Sequence, residues 1–219
     1  MIKIIKQILS KKQHYYVAVS MGVDSVAAFI WLLNKKYSVT PIHLNHGLRD
    51  QNDLMQHKFN EMCEDLKING ISKKINAINS ESECRKERIK FYSELGGEII
   101  TAHHLNDWVE SYLLNCFRGQ PNHDPFNLIS KFPEFNVYHP FLLNSKRQFV
   151  QYVERNKLLN YVVEDESNQI VKGSRRNWIR NKIVPEMKSR KLSLEKYAIR
   201  KIKQDVDKTC DPDIMIARQ

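Results

Sequence analysis

The chain has 219 residues, 35 of them Lys or Arg and 25 Asp or Glu, for a formal net charge of +10. A composition of 42% hydrophobic and 27% charged residues is globular, and only 7 Gly excludes a collagen-like repeat. No stretch approaches the ~18 consecutive apolar residues of a membrane helix, so no membrane span is expected. The excess charge is local: Lys172 to Lys203 carries twelve basic and two acidic residues, leaving 23 of each elsewhere. A neutral body with a basic end reads either as a dock for a polyanion or as a solvated helical surface. Cys63, Cys84, Cys116 and Cys210 form no CxxC pair, and no secretory signal opens the chain, so a reduced, cytoplasmic protein is expected.

Taken in chain order, the first thirteen residues have apolar positions at 2, 4, 5, 8 and 9 and predict a short amphipathic helix. YYVAVS from Tyr15 predicts a buried parallel strand, and residues 23–36 a helix. Residues 39–46 read as a strand and 50–67 as a helix closed by Asn69-Gly70. A weak strand at 73–78 precedes a charged helix at 80–95 that Gly96-Gly97 ends. Residues 98–104 predict a strand and 106–117 a helix. Residues 118–136, rich in Pro and Asn, predict a long loop, followed by a short strand near Val137 to His139. Helices are expected at about 145–159, 175–190 and 193–207.

This alternation predicts an α/β fold: a Rossmann-like parallel sheet with helices on both faces, plus a small helical C-terminal region. A domain boundary is expected near residue 145, giving a catalytic domain over 1–145 and a basic helical region over 146–219.

The strongest local signal is AVSMGVDS, residues 18–25. A strand ends at Ser20, a turn holds Gly22, and a helix begins near Asp24-Ser25. Free N–H groups at a helix start attract phosphate, and Ser20 and Ser25 add hydroxyls. Asp24 could hold Mg2+; equally, Asp24 or Ser25 could simply cap the helix. The loop is neither a Walker loop nor GxGxxG. It resembles SGGxDS, the pyrophosphate (PP) loop of the ATP pyrophosphatase superfamily, which adenylates carbonyl oxygens. Met21 stands where that family has its first Gly, a substitution expected to require a negative φ there.

Further segments are similar to the tRNA(Ile)-lysidine synthetase family. HLNHGLR (43–49) resembles HxxHGLR, and TAHHLNDWVES (101–111) resembles HHxDDxxET, with Asn106 in place of the first Asp and Ser111 in place of Thr. Asp165-Glu166-Ser167-Asn168, then Arg176-Asn177 and Arg180, resemble DxSN…RNxxR. ECRKERIKFY (83–92) is similar to that family's AR-x-x-RY helix. The family's RGSGxxGLxGM segment is reduced to Arg118-Gly119, and its larger members carry extra C-terminal domains that this short form is expected to lack.

The resemblance implies a two-step reaction. The wobble cytidine of a CAU-anticodon tRNA(Ile) is adenylated with ATP, and L-lysine then displaces AMP to give lysidine. It implies an ATP site at Ser20, Met21, Gly22, Val23, Asp24, Ser25 and Arg49, with Mg2+ on Asp24 and Asp107. It implies catalytic roles for Asp24, Asp107, Glu110 and His46, with the lysine on Glu110 and Asp107. Arg85, Arg88, Arg118, Arg176, Arg180, Arg190, Lys191 and Arg200 are the expected tRNA contacts. His103 and His104 read as satisfied strand-end histidines rather than metal ligands. Full-length members of the family often pair, so a homodimer is left open. Two other readings are kept: a tRNA thiolase of the same superfamily, and a non-catalytic tRNA-binding remnant.

Overall fold

The computed structural model describes residues 1–47, 50–75, 81–164 and 174–210. Six strands form one sheet: β1 (His14–Ala18), β2 (Ser38–Asn45), β3 (Ile71–Lys74), β4 (Glu98–Ile100), β5 (Ile129–Lys131) and β6 (Asn136–Tyr138). Their order is β3-β2-β1-β4-β6-β5. Every pair is parallel except β5 with β6. The main helices are α1 (Val23–Asn34), α2 (Asp50–Asp65), α3 (Glu81–Leu95), α4 (Leu105–Phe117) and α5 (Lys146–Arg155). They are followed by α6 (Arg175–Trp178), α7 (Val184–Ser189) and α8 (Glu195–Cys210).

Alternate strand residues face opposite sides of a sheet, and both sides here are apolar. Tyr15, Val17, Ile100 and Tyr138 join the core formed with α1, α2, α4 and α5. Ile42, Ile99 and Val137 point the other way and pack against Phe91 and Tyr92 of α3. This is the expected α/β sheet with helices on both faces.

The strand order sets the site. The chain runs outward from β1 through β2 and β3, then returns to β1's other edge with β4. The loops leaving β1 and β4 therefore diverge, and such a switch point opens a crevice at the carboxyl ends of the strands.

Three expectations change. The amphipathic N-terminal helix is only a turn, Lys6–Ile8. Asn144 takes its backbone partners instead: Lys3 N–H donates to Asn144 Oδ1 at 2.8 Å, and Asn144 Nδ2 donates to Lys3 O at 2.6 Å. Ile5 N–H donates to Pro140 O at 2.9 Å. Ile2, Ile5 and Ile8, three apart, are all buried by this docking. The long loop 118–136 contains β5, which pairs antiparallel with β6 through a turn where Phe132 and Phe135 stack at 4.5 Å. Third, α7 is joined to α6 by a π-helical turn, Ile179–Ile183, in a stretch that reads as one continuous helix. Pro185, which has no N–H for the preceding turn, lies just beyond it. The DESN segment, Arg49 and Lys172 fall outside the described residues.

Residues after 145 share the main core. Phe149 and Val153 of α5 are fully buried beside α1, and Tyr152 OH accepts from Asn34 Nδ2 at 3.1 Å. Burying each such side chain contributes about 1.5–3 kcal/mol. Ala198, Ile202 and Val206, four apart on α8, form an apolar stripe in the same core. Tyr197 of α8 lies 5.3 Å from Tyr112 of α4.

Candidate active site at the switch point

The β1–α1 turn is built around Met21. Its φ of +62 is left-handed, so the negative φ expected of a non-glycine residue does not occur. Gly22, by contrast, has an ordinary φ of −73 and caps α1. A left-handed non-glycine costs about 1–2 kcal/mol. Two contacts offset it: the Met21 side chain is fully buried in the core, and Met21 O accepts from Val163 N–H at 2.9 Å.

The turn leaves a polar cup. Ser25 Oγ donates to Gly22 O at 2.9 Å and accepts from Ser20 N–H at 3.1 Å. The two hydroxyls, Ser20 and Ser25, lie 3.2 Å apart. No side chain caps α1, so the N–H groups of its first turn face outward with Val23 and Asp24. This is the local geometry of a phosphate site.

Opposite it stands the start of α4. His104 caps this helix: Asp107 N–H donates to His104 Nδ1, and His104 N–H donates to Asp107 Oδ2 at 3.0 Å. The other ring nitrogen, Nε2, is 3.4 Å from Asp24 Oδ1. His104 thus stands between the two aspartates that were expected to share Mg2+. Asp107 Oδ1 is also taken, accepting from Arg176 at 2.9 Å. Glu110, buried, accepts from Arg180 on both oxygens at 2.9 and 2.8 Å and from Arg176 at 3.3 Å. Arg176 and Arg180, expected to contact tRNA, are partly exposed and turn their guanidinium groups to these acids. They clamp the acids of α4, because a buried carboxylate pair needs nearby cations.

Asp24 fits a cation better. Its Oδ1 is buried without a hydrogen bond, while Oδ2 accepts from Lys146 Nζ at 2.5 Å. Burial pushes this carboxyl up, but His104 and Lys146 outweigh burial and hold it below the ordinary carboxylate range. The residues present therefore fit ATP phosphates on the Ser20–Ser25 cup and one Asp24 oxygen on Mg2+. They do not form a two-aspartate metal site. For Asp107, burial is likewise outweighed by His104, His103 and Arg176, which hold it ionised.

The β2 end is shaped by Asn45, fully buried. It donates to Asp53 and Gln56 at 2.7 Å and accepts from Gly47 N–H at 2.8 Å. Gly47, at φ +64, lets the chain turn there. His43 Nδ1 meets Val19 O at 2.7 Å, tying β2 to the end of β1. His46 Nδ1 is buried with no hydrogen bond, and burial, then Arg88 and His43, lower its pKa. Arg88 is near enough for its charge to act on His46, and Arg85, Arg88 and Arg118 are all exposed.

Sequence reasoning missed two features. Lys146 lies 122 residues from Asp24, and only the docking of α5 on α1 brings them together. Asn106, in place of an acid, serves that docking: its Oδ1 accepts from Lys146 N–H at 3.0 Å. The second is a cluster in which Thr101 Oγ1 meets His103 Nδ1 at 2.9 Å and His139 Nδ1 at 2.7 Å, with Phe126 4.7 Å from the His103 ring. Burial lowers His103 to about 4 and His139 to about 3. Neither histidine belongs to a metal cluster among the described residues. On the basic helices, Arg190 pairs with Glu186 at 2.6 Å, Lys191 is exposed, and Arg200 lies 5.8 Å from the Tyr197 ring.

The family of the PP-loop domain matches residues 1–187. A tRNA(Ile)-lysidine synthase of Staphylococcus epidermidis is 32% identical over 194 residues, covering 80% of this chain and 44% of that protein. One from Staphylococcus aureus is 33% identical over 190 residues, covering 78% and 43%. One from Actinobacillus pleuropneumoniae is 28% identical over 187 residues, covering 82% and 44%. The chain thus spans less than half the length of these curated relatives. Among solved structures, a U34-tRNA thiolase from Methanococcus maripaludis with a [4Fe-4S] cluster has a TM-score of 0.70 at 15% identity, covering 91% of this chain and 74% of that one. That likeness concerns the fold. No helix among the described residues is long and apolar enough to cross a membrane.

Proposed function

The chain belongs to the PP-loop domain family, and from that premise we propose that it is an ATP-dependent carbon–nitrogen ligase that joins L-lysine to the wobble cytidine of a CAU-anticodon tRNA(Ile). The observation carrying this is the meeting, at one switch point, of the Ser20–Ser25 phosphate cup with the buried acids Asp107 and Glu110. Phosphate chemistry on one wall and carboxylates able to hold an ammonium on the other are the two needs of adenylation followed by amine attack.

Ser20, Ser25 and the first N–H groups of α1 bind the β- and γ-phosphates, and Gly22 keeps the approach open. The Asp24 oxygen would hold Mg2+, which supplies charge neutralisation for the departing pyrophosphate. Lys146 adds a second cation beside it. The cytidine O2 attacks the α-phosphate, and AMP becomes the leaving group at the base C2. The lysine ε-ammonium first gives up a proton to a nearby carboxylate, and the free amine then displaces AMP at C2. Glu110 and Asp107 orient the lysine, exchanging part of their bonding to Arg176 and Arg180 for its ammonium. Arg88 and His46 face the nucleotide from α3 and the β2 end. We retain the division near residue 145 as one of roles: the N-terminal part holds ATP, and the basic helices after it hold the RNA in a cytoplasmic setting.

The thiolase reading is less well supported. Cys63, Cys84 and Cys116 sit on three different helices, and burial pushes the Cys63 thiol up to about 11, away from the reactive thiolate. The test is pyrophosphate release. It should require ATP and the CAU tRNA together, and Asp24→Ala should reduce it at least about 100-fold. Release unaffected by Asp24→Ala would remove the site from the reaction.

A further inference from the structure

Two large aromatic rings stand in solvent where α4 and α6 end. Phe117 is 59% exposed and Trp178 40%, whereas Trp108, Phe141 and Phe149 are almost fully buried. The two rings lie 5.8 Å apart, tilted by 47°. Cations surround them: Arg118 follows Phe117, and Arg175 and Lys182 lie three residues before and four after Trp178, all exposed. Spacings of three and four put these side chains on Trp178's side of the helix.

The pair is tied to the candidate site by the same two helices. Glu110 precedes Phe117 by seven residues on α4, which is about 10 Å of helix. Its partner Arg180 follows Trp178 by two. A strand whose reacting nucleotide lies beside the acid site reaches the rings within roughly one to three nucleotides, at about 3.4 Å per stacked step.

We propose that Phe117 and Trp178 form a stacking platform for one unpaired base of the RNA loop beside the reacting nucleotide. Arg118, Arg175 and Lys182 hold its phosphates. The proposal rests on the RNA substrate proposed above. Exposed aromatic faces interleaved with cations suit single-stranded nucleic acid, because every base offers a π-face and every linkage a charge. Packing alone does not require these rings to be exposed. The adjoining helix is already anchored by buried Ile179 and by the two arginines on Asp107 and Glu110.

The experiment measures binding of a CAU anticodon stem-loop RNA to the full chain by fluorescence anisotropy at fixed salt. Trp178→Ala should weaken binding about 5- to 100-fold, the range for one stacked base, and Trp178→Phe should retain most of the affinity. The salt slope should not change, because no phosphate contact is removed. The unmutated protein is also titrated with RNAs bearing one abasic site at each loop position. One abasic position should reproduce the loss, and Trp178→Ala should then add nothing with that RNA. This abasic series does not depend on how a variant folds. Full affinity in Trp178→Ala, or an equal penalty with every abasic RNA, would overturn the platform alone. If the unmutated protein binds no stem-loop at all, the proposed RNA substrate falls with it.

Discussion

The phosphate cup and the acid cluster face each other across one crevice but are made in opposite ways. The cup is local: Ser20 to Ser25 supply its hydroxyls, its turn and its N–H groups within six residues. The acid cluster is assembled from afar: Arg176 and Arg180 reach Asp107 and Glu110 across 66 to 70 residues, and on the cup's side Asp24 has a distant partner in Lys146, 122 residues away. The difference teaches where each wall is vulnerable. The cup fails through its turn, and the cluster through loss of charge compensation in the C-terminal helices.

The sharpest way to break this contrast is Arg180→Met. Removing one partner of a buried pair costs about 3–5 kcal/mol, and the partial exposure of Arg180 reduces that to about 2–3 kcal/mol. Urea denaturation should show it, with most of the stability recovered when Glu110→Gln is added. An undiminished single variant would mean the clamp is not structural.

The basic helices come next. Neutralising Arg190, Lys191, Arg200 and Lys201 together should weaken tRNA binding about 10- to 100-fold and flatten its salt dependence. ATP binding should be unchanged, and equal loss of both would indicate misfolding.

The cup is tested at Met21. Gly would relieve the left-handed φ but lose the buried side chain, so Met21→Gly should be less stable by about 1–3 kcal/mol. Met21→Ala keeps the strain and loses the side chain, so it should be lower still by about 1 kcal/mol. A stabilised glycine variant would show that strain, not burial, dominates the turn.

A further effect is in pH. His103 and His139 have folded pKa values of about 4 and 3, below the ~6.5 of the unfolded chain. The unfolded state therefore binds protons first. Stability is fully present above about pH 6.5 and falls as pH drops from there toward 4. Thermal midpoints should follow this slope, and His139→Gln should flatten it.

These two walls also differ in how far the amino-acid sequence reveals them. The parallel sheet and the cup were legible because buried strands and a strand–turn–helix are spelled by adjacent residues. Asp107 and Glu110 were legible from the resemblance of TAHHLNDWVES to HHxDDxxET, with their spacing of three putting both on one face of α4, but their partners were not: pairing is decided by how α6 packs on α4. Lys146 had no local signal at all. The N-terminal helix was misread because the spacing of Ile2, Ile5 and Ile8 suits a docked turn as well as a helix, and only Asn144 decides between them. Met21 was misread because burial of its side chain is invisible to a rule about φ.

One measurement bears on the whole account. The chain is incubated with the CAU tRNA, ATP and isotopically labelled lysine, and the digested nucleosides are weighed by mass spectrometry. The account predicts a single labelled cytidine whose mass gain is that of lysine less water, absent without ATP. Unmodified cytidine, or a nucleoside that has gained sulfur, would contradict it.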